Sequence, residues 1–159
     1  MAQTQDAISS KNWLVQISDD AGSTWIDISG QATVTEPGSG ARMTGTAYTF
    51  DGDTAILKSG KREPIELTLT IVYVETTDEA YDKIENAYEN DSDLLVRWSP
   101  KGGATGDKGY KTDAPSIVTA VPYPAGEAET PDPILVEATL MTPSVTVSTI
   151  TSDDEWNTV

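Results

Sequence analysis

The stretch Pro64-Ile65-Glu66-Leu67-Thr68-Leu69-Thr70-Ile71-Val72-Tyr73-Val74 alternates apolar and polar side chains with a period of two. In an extended chain Ile65, Leu67, Leu69 and Ile71 fall on one face and Glu66, Thr68 and Thr70 on the other. The segment therefore reads as a strand with a core face and a polar face, rich in the residues that fit a pleated surface. A mainly β fold is expected around it.

Upstream, Trp13, Val15 and Ile17 share one face of a second alternating run, and the turn residues Asp19-Asp20-Ala21-Gly22-Ser23 separate it from Trp25-Ile26-Asp27-Ile28. The pair reads as a hairpin. Downstream, Thr76 and Glu79 are spaced as a capping box, and Ala80, Tyr81, Ile84, Ala87 and Tyr88 recur at helical spacing. One helix is expected over residues 78–90, with Asp82, Lys83, Glu85 and Glu89 facing water and Glu79 and Lys83 placed to pair. Further strands are expected at Leu94–Trp98, Ser116–Val121, Ile134–Met141 and Val145–Ile150. Several short strands with a single mid-chain helix predict an antiparallel β-sandwich or barrel with one flanking α-helix. Trp13, Trp25 and Trp98 read as core or interface aromatics.

Residues 36–62 differ from the rest, being rich in Gly, Thr and Ser with widely spaced apolar residues. They read as a long loop, part of which pairs as short strands, and long loops in compact domains usually bind something. The chain is expected to form one domain over residues 1–159, with a short flexible segment at 1–11 and a mobile acidic tail at 151–159.

Composition narrows the function. Among 159 residues, 10 Lys and Arg stand against 26 Asp and Glu, so the net charge is 10 − 26 = −16. Such a surface repels nucleic acid, and the basic residues that would neutralise phosphates are scarce. Cys and His are both absent, which removes disulfides, thiol nucleophiles, Cys/His zinc sites and Ser-His-Asp triads. Met1–Lys11 has neither a basic nor an apolar signal region, and no run of apolar residues is long enough to span a bilayer, so a soluble chain without a membrane role is expected.

Local motifs fail on their own requirements. The glycines around Gly102 lack the phosphate-loop spacing and a following helix, and Met43 stands where a dinucleotide fingerprint begun at Gly38-Ser39-Gly40 needs its third glycine. Asp51-Gly52-Asp53 and Asp91-Ser92-Asp93 carry Ala55 and Leu95 at the third calcium-ligand position, so they read as turn acids. Paired carboxylates for glycoside hydrolysis occur in any chain this acidic. Asn90-Asp91-Ser92 fits a glycosylation sequon, a pattern short enough to arise by chance. No catalytic residue, cofactor or metal is expected, and the chain is not read as an enzyme.

Ala55-Ile56-Leu57-Lys58-Ser59-Gly60-Lys61-Arg62-Glu63-Pro64, followed by the long strand, the helix and then Leu94-Leu95-Val96-Arg97-Trp98-Ser99-Pro100, resembles the major tail tube proteins of long-tailed phages. The resemblance runs from about Trp13 to Ile150, and similar proteins build contractile tails and the type VI secretion tube. It implies a virion tail protein, made in the host cytoplasm, whose hexameric rings stack into a tube through which DNA passes without specific binding. It also implies tape measure, tail terminator and distal tail proteins as partners, and a 36–62 loop that reaches neighbouring subunits. Arg42, Tyr48, Phe50, Lys58, Lys61 and Arg62 are the candidate contacts there. Lys101 and Lys108, with Lys111, form a second basic group that can set stacking register, and Trp156 is a candidate anchor for the tail on a neighbour. A tail-completion or neck ring protein and a carbohydrate-binding β-sandwich module remain alternatives.

Overall fold

The computed structural model describes residues 3–4, 6–152 and 155–156. Parts of the expected N-terminal segment (1, 2 and 5) and of the acidic tail (153, 154 and 157–159) lie outside the described residues. In chain order the elements are β1 (Leu14–Ser18), β2 (Ile26–Asp27), β3 (Ala32–Pro37), β4 (Arg42–Ala47), β5 (Ile56–Arg62), β6 (Ile65–Val72), α1 (Ala80–Glu89), β7 (Leu95–Ser99), β8 (Lys108–Thr112), β9 (Ile117–Ala120), β10 (Leu135–Thr142) and β11 (Val145–Thr149).

The strands make two antiparallel sheets and a separate two-stranded ribbon: β11-β8-β7-β1-β2, β3-β6-β10-β9, and β4-β5. β6 is the alternating stretch, and its Leu67, Leu69 and Ile71 are fully buried. It pairs along its whole length with β10, Ile65 opposite Thr142 through Val72 opposite Leu135. Val136, Ala138 and Leu140 of β10 meet Val15 and Ile17 of β1 and Val96 and Trp98 of β7 in one core. The result is the expected β-sandwich with one helix. Removing this apolar surface from water supplies the main stabilisation, at about 25 cal/mol per Å².

α1 buries Ala80, Tyr81, Ile84 and Ala87 against that core. Its ends depart from the expectation. Glu79 is the N-cap and no side chain of a capping box caps the helix. Instead Gln31, just before β3, accepts from the Ala80 N–H at 2.9 Å and donates to Glu79 Oε2 at 3.0 Å. A residue distant in sequence thus satisfies a helix-terminal donor that Thr76 was expected to serve. Lys83 does not take Glu79 either: it pairs with Asp19 at 2.9 Å and Asp78 at 3.1 Å, which ties the helix to the β1–β2 turn.

The outer face of the five-stranded sheet is covered as well. Gln16, Ser18, Arg97 and Ser99 alternate with the core residues yet are themselves buried. Gln16 and Arg97 are covered by Trp156. Trp156 is only 4% exposed, its carbonyl accepts from Gln16 Nε2 at 2.8 Å, and its ring lies 4.5 Å from the Arg97 guanidinium. The described part of the tail, expected to be mobile, is therefore docked. Glu155 secures it further by accepting from the Thr151 N–H and hydroxyl at 2.9 and 3.0 Å.

Candidate assembly interface

β4 and β5 form an antiparallel arm that leaves the body between β3 and β6. Much of the stretch expected to be loop is therefore paired strand. Six or seven residues per strand, at about 3.3 Å each, give an arm roughly 20 Å long. All residues of both strands are exposed, and neither strand packs substantially on another element. A lone two-stranded ribbon is marginal in water and gains stability only by packing.

The root of the arm is closely held. The Gly38 N–H donates to the Glu66 carbonyl and the Glu63 N–H to the Ala41 carbonyl, each at 2.8 Å. A Cβ at Gly38 would sit 2.8 Å from the Glu66 oxygen, and one at Gly40 2.6 Å from the Glu63 oxygen. Only glycine permits these approaches. The arm thus starts from a defined point, with Ala41 and Glu63 side by side.

The structure brings six sequence-predicted residues together on this arm. Arg42, Lys58, Lys61 and Arg62 lie on its strands, while Tyr48 and Phe50 lie in the connection at its tip. Phe50 is 114% exposed and Tyr48 80%. Met43, Ile56 and Leu57, which sequence reasoning did not single out, add further exposed apolar surface. For Ile56 and Leu57 the signal was the apolar run Ala55-Ile56-Leu57, but an exposed apolar strand looks like a buried one in sequence. A patch of this kind marks an interaction site on a folded protein.

Charge separates the arm from the body. Over residues 42–62 four cations stand against Asp51 and Asp53, a net of +2, which leaves −18 for the remainder of the −16 chain. Arg42 and Arg62 are directly opposite each other in the ladder, where like charges repel. Among the described residues only Lys83 and Lys101 form ion pairs, so the arm's cations engage no described carboxylate. Beside the root, where the two sheets open, lies an apolar cleft of about 400 Å³ lined by Trp13, Pro37, Ile65, Trp98, Tyr110 and Val147.

The other predicted contacts are elsewhere. Lys101 pairs with Asp107 at 3.7 Å in the β7–β8 connection, and Lys108 is exposed at the start of β8. Neither joins the arm's basic group. Trp156 packs its indole on its own sheet and is 4% exposed, so its anchoring burial is already made within this chain. That corrects its reading as an anchor on another subunit: Gly109 supplies the flat floor and Arg97 the lid. Sequence reasoning also missed Arg97, which donates from Nε to Gln16 Oε1 at 2.6 Å and stacks over Trp25 at 4.3 Å. Burial lowers its pKa from 12.5 to about 10, against which the negative charge of Glu155 raises it. It remains a cation at neutral pH.

No protein-family model matches the sequence, and no curated protein matches it. Solved structures do share its fold. A chain of the sheath/tube terminator of an extracellular contractile injection system, PVC, superposes with TM-score 0.70 at 15% identity, covering 92% of this chain and 99% of that one. A chain of the 6-fold symmetrised baseplate of the anti-feeding prophage gives 0.68 at 8% identity, covering 93% and 99%. A chain of the SPP1 tail tube gives 0.66 at 11% identity, covering 95% and 84%. The chain has the fold of these tail and injection-system proteins over nearly its whole length.

Proposed function

We propose that this chain is a non-enzymatic structural protein of a phage-type tail, which polymerises as stacked rings into a hollow tube. The carrying observation is the arm: a ribbon with exposed aromatic residues and a net charge of +2, extending from a body of −18. A projection complementary to another part of the same molecule can pass from one copy to the next as a heterologous contact, which yields rings or filaments. Opposite charges steer that encounter and set its register, while the apolar residues supply affinity. The fold likeness to a chain of the SPP1 tail tube supports the tube, and that to a chain of a 6-fold symmetrised baseplate supports six subunits per ring.

In this reading the arm reaches a neighbouring subunit through Arg42, Tyr48, Phe50, Lys58, Lys61 and Arg62. Lys101 and Lys108 contact a stacked ring. An acidic bore lets genomic DNA slide through without binding. The tape measure protein would occupy the tube before ejection, with tail terminator and distal tail proteins at its ends, and the assembled protein would reside in the virion.

The arm can be removed cleanly because Ala41 and Glu63 are already hydrogen-bonded neighbours. Replacing residues 42–62 by a two-residue Asn-Gly turn should leave a folded monomer that forms no tubes in negative-stain microscopy across a concentration series. Normal tubes from that variant would end this reading. A second reading, a ring that terminates a tube without polymerising, is favoured by the likeness to the PVC sheath/tube terminator. It requires the intact chain to stop at single closed rings in the same micrographs.

A further inference from the structure

The outer face of the five-stranded sheet carries a polar row that the assembly reading does not use. Cross-strand register aligns Asp27, Gln16, Arg97, Lys111 and Thr146 across β2, β1, β7, β8 and β11. Arg97 and Lys111 are directly opposite one another, an arrangement that repels unless an anion separates them. Neither forms an ion pair with a described carboxylate. Arg97 is 7% exposed, and its Nη2 is buried with no hydrogen-bond partner. A buried guanidinium left in this state is costly to the fold.

A pocket of about 330 Å³ opens over this pair, walled by Trp25 and Trp156 and floored by Arg97, with Lys111, Ser148 and Glu155 at its sides. Its chemistry favours an anion. The guanidinium and ammonium only donate. The Thr146 hydroxyl is committed to Asp113 Oδ1 at 2.7 Å, and Asp113 also accepts from Ser144 at 2.6 Å. Glu155 is occupied by Thr151 and forms no ion pair with Arg97 within 4 Å, so its charge acts on the guanidinium only from a distance. Two cations against one engaged carboxylate leave the pocket positive, and the indoles on either side of Arg97 shield its guanidinium from part of the solvent, which strengthens its charge interactions. Arg97, held flat between two rings, presents the planar fork that suits a carboxylate.

We propose that the Arg97–Lys111 pocket is a carboxylate-binding site, filled in the assembled protein by an Asp or Glu side chain of a second copy. The identity of that occupant rests on the polymerisation reading; the pocket itself does not. A second copy brings 26 carboxylates, of which the described ion pairs use only Asp19, Asp78 and Asp107.

The test begins with dilute full-length monomer. Sodium acetate is titrated against sodium chloride at fixed ionic strength while tryptophan emission is recorded, since Trp25 and Trp156 form the walls. A saturable, acetate-specific change is expected. Lys111→Met, at an exposed rim position that leaves the core intact, should weaken it about tenfold, the order expected for losing one charge-assisted hydrogen bond. Lys111→Arg should restore it. An acetate response equal to that in chloride, or one unchanged in K111M, overturns the site, and a response to sodium phosphate without one to acetate overturns its assignment to carboxylates. Assembly is then compared by sedimentation, where K111M should form fewer tubes than K111R. Equal assembly of both overturns the second-copy occupant while the polymerisation reading stands. If the unaltered protein does not assemble, that reading fails and the occupant with it, while the monomer titration still decides the pocket.

Discussion

Gly109→Ala should destabilise the protein through a single contact. Gly109 lies in β8 beneath the indole of Trp156. A Cβ built there would overlap Trp156 Cζ2 and stand 3.0 Å from Cη2 and 3.1 Å from Cε2, well inside the roughly 3.5–4.0 Å at which carbon atoms attract. The indole cannot simply slide, because Arg97 stacks on it at 4.5 Å and its backbone carbonyl is held by Gln16 at 2.8 Å. If the ring shifts in place, the cost is that of overpacking, about 1–3 kcal/mol. If it is expelled, the cost approaches the roughly 3–5 kcal/mol of removing a buried Trp. A loss of about 2–4 kcal/mol follows, or a fall in Tm of some 5–15 °C at about 2–4 °C per kcal/mol for a chain this size. Urea unfolding of wild type, G109A, Trp156→Ala and the double variant measures it as a cycle. Without the indole, the three nearest contacts of the added methyl are gone, and the change should be neutral or mildly stabilising, as Ala in place of a strand Gly. If G109A costs as much in the W156A background as in wild type, within about 0.5 kcal/mol, the reasoning is refuted.

Other consequences follow from the same geometry. Gln31→Ala removes both the acceptor for the Ala80 N–H and the donor to Glu79, and should cost about 1–2 kcal/mol, with helix signal lost before strand signal in thermal circular dichroism. The Asp20 carboxylate accepts from the Thr24 N–H at 2.8 Å and the Ser18 hydroxyl at 2.7 Å, and these bonds, the Thr24 backbone first, lower its pKa from 3.8 to about 2. A group depressed on folding stabilises the fold above its unfolded pKa and loses that contribution as pH falls from about 4 to 2, so Asp20→Asn should flatten the acid limb of a stability profile in that window and leave its neutral region flat. Phe50→Ser removes an exposed ring and should change monomer stability by no more than about 0.5 kcal/mol while reducing assembly in sedimentation, and an unchanged assembly would count against the arm as an interface.

The residues themselves determined the strands marked by clear alternation and the presence of the helix, but not β3, β4, β5 or β8. Period-two alternation at Ile65–Val72 and helical spacing at Ala80–Ala87 are local consequences of where side chains point, and a sheet or helix must bury the face so marked. Composition likewise settled the arm's charge contrast, because four of ten cations fall within residues 42–62. Partnership was decided only by the tertiary structure. Whether Thr76 or Gln31 serves the helix start, and whether Lys83 takes Glu79 or Asp19, depends on which distant segments fold alongside, and spacing along the chain cannot encode that. The same holds for Ile56 and Leu57: their pattern is that of a core strand, and only the absence of a second sheet against the arm leaves them exposed. Arg97 is the opposite case, a charged residue at the polar beat of a strand that sequence assigns to water. It is buried because Trp156, some sixty positions later, folds back over it, a contact set by the closing of the whole chain rather than by any local pattern.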